Sequence, residues 1–197
     1  MSWLGIIITF ALIDNVILSR LLGICPCVGA SGHMRAAMRR AAWTGALMAL
    51  SALAAWTLDS LVLRPLDLGF LRTPAFVLVV AGLARLLEVV AARVPGPLAP
   101  PAGFSIHGSA ANCAVLGVVL ITSRGSYTPL ECLVAGIAAG LGYALVIALM
   151  TAIREKLEVE QAPQWLRGLP LQLVSAGLLA YAFMAFDRAF LSRVLGG

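Results

Sequence analysis

Charge is what this chain has least of. Of its 197 residues only 12% are charged, while 61% are hydrophobic, and its mean hydropathy is +0.97. A soluble domain carries about 25% charged residues, and a chain this apolar cannot cover its surface with polar groups in water. That excludes an ordinary soluble enzyme, a disordered tail and a free-standing nucleic-acid binder. Histidine is nearly absent, with two copies, and no His-based zinc site, heme motif or catalytic triad can be assembled. No glycine pattern cradles a phosphate. The N-terminus lacks a basic stretch, and Asp14-Asn15 interrupt its apolar run, so it reads as a retained segment and not a cleavable signal. The net charge of +5 forms no basic stripe. In a membrane protein such residues mark the cytoplasmic side and touch anionic lipid.

What is present is a series of apolar runs punctuated by proline, which breaks helices and collects in loops. The ten prolines fall between or at the ends of these runs. The runs predict six spans, at approximately 4–22, 37–58, 73–92, 110–123, 131–152 and 170–190. The first and fourth are irregular. The first carries Asp14-Asn15 midway and runs into Gly23-Ile24-Cys25-Pro26-Cys27-Val28-Gly29. The fourth, from Asn112 to Ser123, is only about 18 Å of helix, against a hydrocarbon core of about 30 Å. If its Arg124 end lies at the surface, Cys113 lies deep. The stretch 103–109 before it would then be covered by protein or line a cavity.

A weak internal repeat accompanies the spans. Leu71-Arg72-Thr73-Pro74 precedes the third span and Leu166-Arg167-Gly168-Leu169-Pro170 the sixth. Ala81-Gly82-Leu83 and Ala176-Gly177-Leu178 follow at an offset of 95 residues (176 − 81). Three spans per repeat force the second copy upside down, the inverted-repeat architecture. The expected fold is therefore an all-α integral membrane protein of six transmembrane helices in two inverted three-helix repeats, with half-spanning first and fourth helices. It forms one membrane domain over 1–197, with repeats at about 1–95 and 100–197. Eight Lys and Arg fall on the side of loops one–two, three–four and five–six, against five on the other. That bias places both termini outside the cytoplasm.

Cys25 and Cys113 are the leading candidates for chemistry. Each sits at an interrupted helix among small residues. A thiolate buried in hydrocarbon is costly unless a metal neutralises it, although a buried Cys can also be a small packing residue. Iron–sulfur clusters normally take four thiolates. Cys132 begins the fifth span, roughly 18 Å from Cys113 along the helix rise, too far to close on one small cluster. Two ligands are thus expected from this chain and two from a partner, with Cys27 a packed thiol. Asp14 and Asn15 are polar groups inside a span, either functional or satisfying a broken backbone. Arg85 and Glu88 are spaced to pair on one helix face. His107 reads as a local hydrogen-bonder, Asn112 as a helix cap, and 154–160 as a solvated helix end. Gly136, Gly140 and Gly142 permit close helix packing.

Leu22-Gly23-Ile24-Cys25-Pro26 with Val28-Gly29, the string Asn112-Cys113-Ala114-Val115-Leu116-Gly117, and Ala152-Ile153-Arg154-Glu155-Lys156-Leu157 with Arg167-Gly168 together resemble one family of membrane proteins. It comprises the A subunit of the Rnf complex and the homologous E subunit of the sodium-translocating NADH:quinone reductase. The likeness covers essentially the whole chain. It implies a protein paired with a paralogue, the E subunit of the same Rnf complex, in opposite orientation. Between them the pair would hold one 2Fe-2S cluster on two cysteines from each chain, here Cys25 and Cys113. It further implies a bacterial inner-membrane complex with B, C, D and G subunits. That complex would move electrons between ferredoxin and NAD, reached through its other members, coupled to sodium or proton movement. Cys27 replaces the family's usual Phe, and Phe104 to Ala111 replace an apolar Leu-Pro run ending in two threonines. Both departures lie beside the expected cluster position. A rival from another class is a small inverted-repeat secondary transporter without metal, with Asp14, Asn15 and Asn112 lining its site.

Overall fold

The computed structural model describes residues 7, 10, 11, 15, 22, 34–63, 65, 69–93, 113–125, 127–159 and 168–184. All regular structure among them is helical. Five α-helices have described bounds: α1 Met34–Leu58, α2 Arg72–Ala91, α3 Cys113–Arg124, α4 Pro129–Val159 and α5 Leu169–Met184. Three stretches are long and apolar enough to cross a membrane, at Met34–Leu63, Gly69–Ala91 and Pro129–Leu157. In hydrocarbon each backbone N–H and C=O must be satisfied inside its own helix, so such runs have no other regular option. Cys113–Arg124 and Pro170–Phe183 are apolar but shorter.

Helix ends follow local chemistry. Pro74, Pro129 and Pro170 all sit in first turns, where the missing N–H has no intrahelical partner to lose. Thr128 and Glu131 form a reciprocal capping box at the start of α4. The Thr128 N–H donates to Glu131 Oε2 at 2.8 Å, and the Glu131 N–H to Thr128 Oγ1 at 3.4 Å. Past Leu58 the chain widens into a π-helical turn, Asp59–Leu63, and a 3₁₀ turn, Gly69–Leu71, leads into α2. α4 continues helical seven residues beyond the expected end at 152. The intervening Arg154-Glu155-Lys156-Leu157 are all good helix formers.

The dominant contact is α1 against α4. It is antiparallel and built on small residues. A Cβ placed on Gly140 would lie 2.8 Å from Gly45 Cα, and one on Gly136 would lie 2.7 Å from Ala49 Cα. Two i, i+4 pairs, Gly45/Ala49 and Gly136/Gly140, thus let the backbones touch. Gly45 and Gly140 are themselves 95 residues apart (140 − 45), the offset of the sequence repeat. The core gathers around this crossing: Leu47, Met48 and Ala55 of α1, Phe76 and Val80 of α2, Val115 and Val118 of α3, and Tyr143 and Val146 of α4. α5 adds Leu179, Ala180 and Phe183 at its margin.

Hydrogen bonds fasten the periphery. Trp56 Nε1 donates to the Tyr127 carbonyl at 2.8 Å, which ties the end of α1 to the α3–α4 connection. Asn15 is buried, and its Nδ2 donates to the carbonyls of Ala11 at 3.1 Å and Gly142 at 3.3 Å. A polar side chain in the expected first span is thereby satisfied by backbone, its own and that of α4.

Candidate functional site

The depth of Cys113 can be read from the helix geometry. α3 and α4 are joined by a short connection, 125–128, and pack on each other, so they run antiparallel. From Arg124 back to Cys113, and from Pro129 forward to Gly140, the chain covers about 16 Å in each case. Cys113 therefore stands level with Gly140 and Gly45, midway along the α1–α4 crossing. It is half-buried and opens α3, followed by the fully buried Ala114 and Val115. A helix N-terminus presents positive dipole and N–H groups.

Cys132 is different in kind. It is fully buried in the first turn of α4, and its N–H donates to the Thr128 carbonyl at 3.0 Å. It lies beyond the far end of α3, so the helix of twelve residues, about 18 Å, separates the levels of the two thiols. The other sequence candidates, Cys25, Cys27, Asp14, His107 and Asn112, fall outside the described residues. Among the described residues no group of three or more His, Cys, Asp and Glu side chains is arranged to hold a metal ion.

Ion pairs among the described residues add to the picture. Arg85 Nη1 meets Glu88 Oε2 at 2.7 Å on the exposed side of α2, as the spacing predicts. The second has no counterpart among the sequence expectations. Arg72 grips Asp59 in a two-point fork, Nε to Oδ1 at 2.7 Å and Nη2 to Oδ2 at 2.6 Å. Asp59 is 4% exposed at its side chain and Arg72 30%. A signal for it exists, since an acid closes one apolar run and an arginine opens the next. Helix directions also sort the cations. Arg35, Arg39, Arg40, Arg93, Arg154 and Lys156 collect at one end of the bundle, and Arg72 and Arg124 at the other.

An all-helical bundle with several membrane-length helices and a half-length one is a multi-pass membrane protein. The family model described as "Rnf-Nqr subunit, membrane protein" matches residues 3–189, and the chain belongs to that family. It is 37% identical over 187 residues to the A subunit of the Na(+)-translocating ferredoxin:NAD(+) oxidoreductase complex of Acetobacterium woodii, covering 95% of this chain and 97% of that one. It is 36% identical to the A subunit of the ion-translocating oxidoreductase complex of Citrobacter koseri, over 94% and 96% of the two chains, and to that of Serratia proteamaculans over the same shares.

Proposed function

We propose that this chain is an electron-relaying membrane component of an ion-translocating oxidoreductase complex. It would hold half of a 2Fe-2S cluster through Cys25 and Cys113, the other two thiolates coming from a paralogous chain. The observation that carries the reading is the placement of Cys113, at mid-depth on the first residue of a half-length helix, in a chain whose relatives are subunits of such complexes. The donor chemistry fits. Thiolates are the ligands of such clusters. Cys113 is only half-buried within its own chain, which leaves room for a second polypeptide to complete its surroundings. A bound cluster supplies one-electron transfer inside the membrane. In this reading Cys113 supplies a sulfur ligand, and the packing of α3 into the core through Ala114, Val115 and Val118 fixes its depth beside the α1–α4 crossing.

The same reading includes six spans in two inverted halves. An inverted repeat brings equivalent residues together at its axis, and the contact of Gly45 with Gly140, one repeat offset apart, supports that. It also includes a bacterial inner membrane, both termini on the periplasmic side, partnership with the E, B, C, D and G subunits, and electrons exchanged with ferredoxin and NAD through them. Relatives named as oxidoreductase subunits do not favour the transporter alternative.

The test is iron and acid-labile sulfide analysis of the purified complex, with its visible spectrum. Wild type carries a reducible cluster. Cys25→Ser and Cys113→Ser lose it, and Cys132→Ser keeps it. Loss on Cys132→Ser with retention on Cys113→Ser overturns the assignment.

A further inference from the structure

Arg85 and Glu88 put two charges inside a membrane-length helix. From Arg72 to Ala91 the helix α2 rises about 29 Å, close to the thickness of the hydrocarbon core. Arg72 opens α2, and Arg93 follows its last turn. Arg85 lies about 9 Å short of the Ala91 end, and its bond to Glu88 Oε2 at 2.7 Å keeps the guanidinium within that turn. Both side chains face away from the core. Phe76, Val80 and Ala84 form the buried row of α2, and Arg85 and Val89 stand on the opposite row. Leu86 and Val89 beside them are exposed. The Arg85 side chain is 68% exposed and that of Glu88 31%.

The pair does not satisfy itself. A guanidinium carries five N–H donors, and Arg85 makes one bond, to Glu88. Its remaining donors and Glu88 Oε1 meet no partner among the described residues. Acyl chains offer them nothing to bond with, and ionisable groups inside spans turn toward protein or a cavity.

Charge chooses the occupant. The pair is neutral as a unit. A carboxylate or phosphate brought to Arg85 would stand beside Glu88, which has the same sign, and would leave an uncompensated charge in hydrocarbon. A second cation has the opposite fault. A zwitterionic head group matches in charge but belongs about 9 Å nearer the surface. A carboxamide accepts from Arg85, donates to Glu88 Oε1 and adds no charge. Such side chains bond across helices inside membranes.

We infer that the Arg85–Glu88 face of α2 docks a transmembrane helix of another subunit, one that brings an Asn or Gln to the level of the pair. Leu86 and Val89 pack against the apolar side chains of that helix. The inference rests on the chain being a subunit of a complex and not on the cluster.

The experiment is photo-cross-linking in the purified complex, with benzoylphenylalanine replacing Leu86 or Val89 and the captured peptide identified by mass spectrometry. Both probes capture the same apolar helix of one other subunit, within a turn of an Asn or Gln. Combining Arg85→Leu with Glu88→Leu lowers the yield from position 86 about tenfold, the scale of two or three interhelical hydrogen bonds. Changing the partner's Asn or Gln to Leu lowers it by a similar factor, and adding that change to the double variant lowers it little further. Capture of lipid alone, of a second copy of this chain or of its own segments overturns the inference. So does a captured helix without a carboxamide at that level, or a yield that the double variant leaves unchanged. Iron analysis keeps the two readings apart. A complex that lacks iron yet gives the cross-link upholds the docking face, and an iron-loaded complex that fails to give it overturns the docking face alone.

Discussion

Gly45 of α1 and Gly140 of α4 meet backbone to backbone, so that a methyl group on Gly140 would stand 2.8 Å from Gly45 Cα. With no hydrophobic force between helices in a bilayer, association rests on close packing, and this contact sits at its centre.

Gly140→Val should therefore force the two longest helices apart. Overpacking of this kind costs about 1–3 kcal/mol, read as a lower melting temperature of the purified complex. Gly45→Ala should cost less, since its added Cβ is 3.3 Å from Gly140 Cα. Gly82→Ala is the control. Nothing lies within 4 Å of a Cβ there, and alanine is the better helix former, so stability should hold or rise.

The Asp59–Arg72 pair should respond asymmetrically. Arg72→Gln leaves a carboxylate stranded at 4% exposure, at a cost of about 3 kcal/mol, the lower part of the range for breaking buried pairs. Asp59→Asn leaves an arginine 30% exposed, which water can still solvate, and should cost about 1 kcal/mol. Chemical denaturation of the two variants side by side checks the order.

Thr128→Ala removes half of the capping box and should cost about 1 kcal/mol. Thr128→Ser keeps a hydroxyl in place and should restore most of it. Thermal melts of the three proteins give the comparison.

Cys132→Ala should behave as a packing change. The fully buried thiol is replaced by a smaller group, a loss of about 1 kcal/mol. The visible spectrum and iron content should stay at wild-type values, in contrast to Cys113→Ala.

Much of this arrangement is legible in the sequence because it is local. The Ala- and Leu-rich runs of α1 and α4 announce themselves by length and composition. The half-length α3 can be placed because Cys113 and Arg124 bracket twelve residues. The Arg85–Glu88 pair follows from helical spacing. The illegible parts are contacts between distant segments. Asn15 reaches Gly142 across 127 residues of chain, and no periodicity carries that. The Gly45–Gly140 crossing is visible only once both helices are laid side by side, although the glycines on α4 mark it as a packing face. Cys25, half of the proposed ligand set, lies outside the described residues.

The grip of Arg72 on Asp59 also bears on how the chain is made. The two charges lie thirteen residues apart, one closing a hairpin arm and one opening the next. Each alone would resist leaving the aqueous translocation channel. Joined, they cancel one another where α1 ends and α2 begins, so neither leaves an uncompensated charge at that end of the hairpin when it meets the lipid.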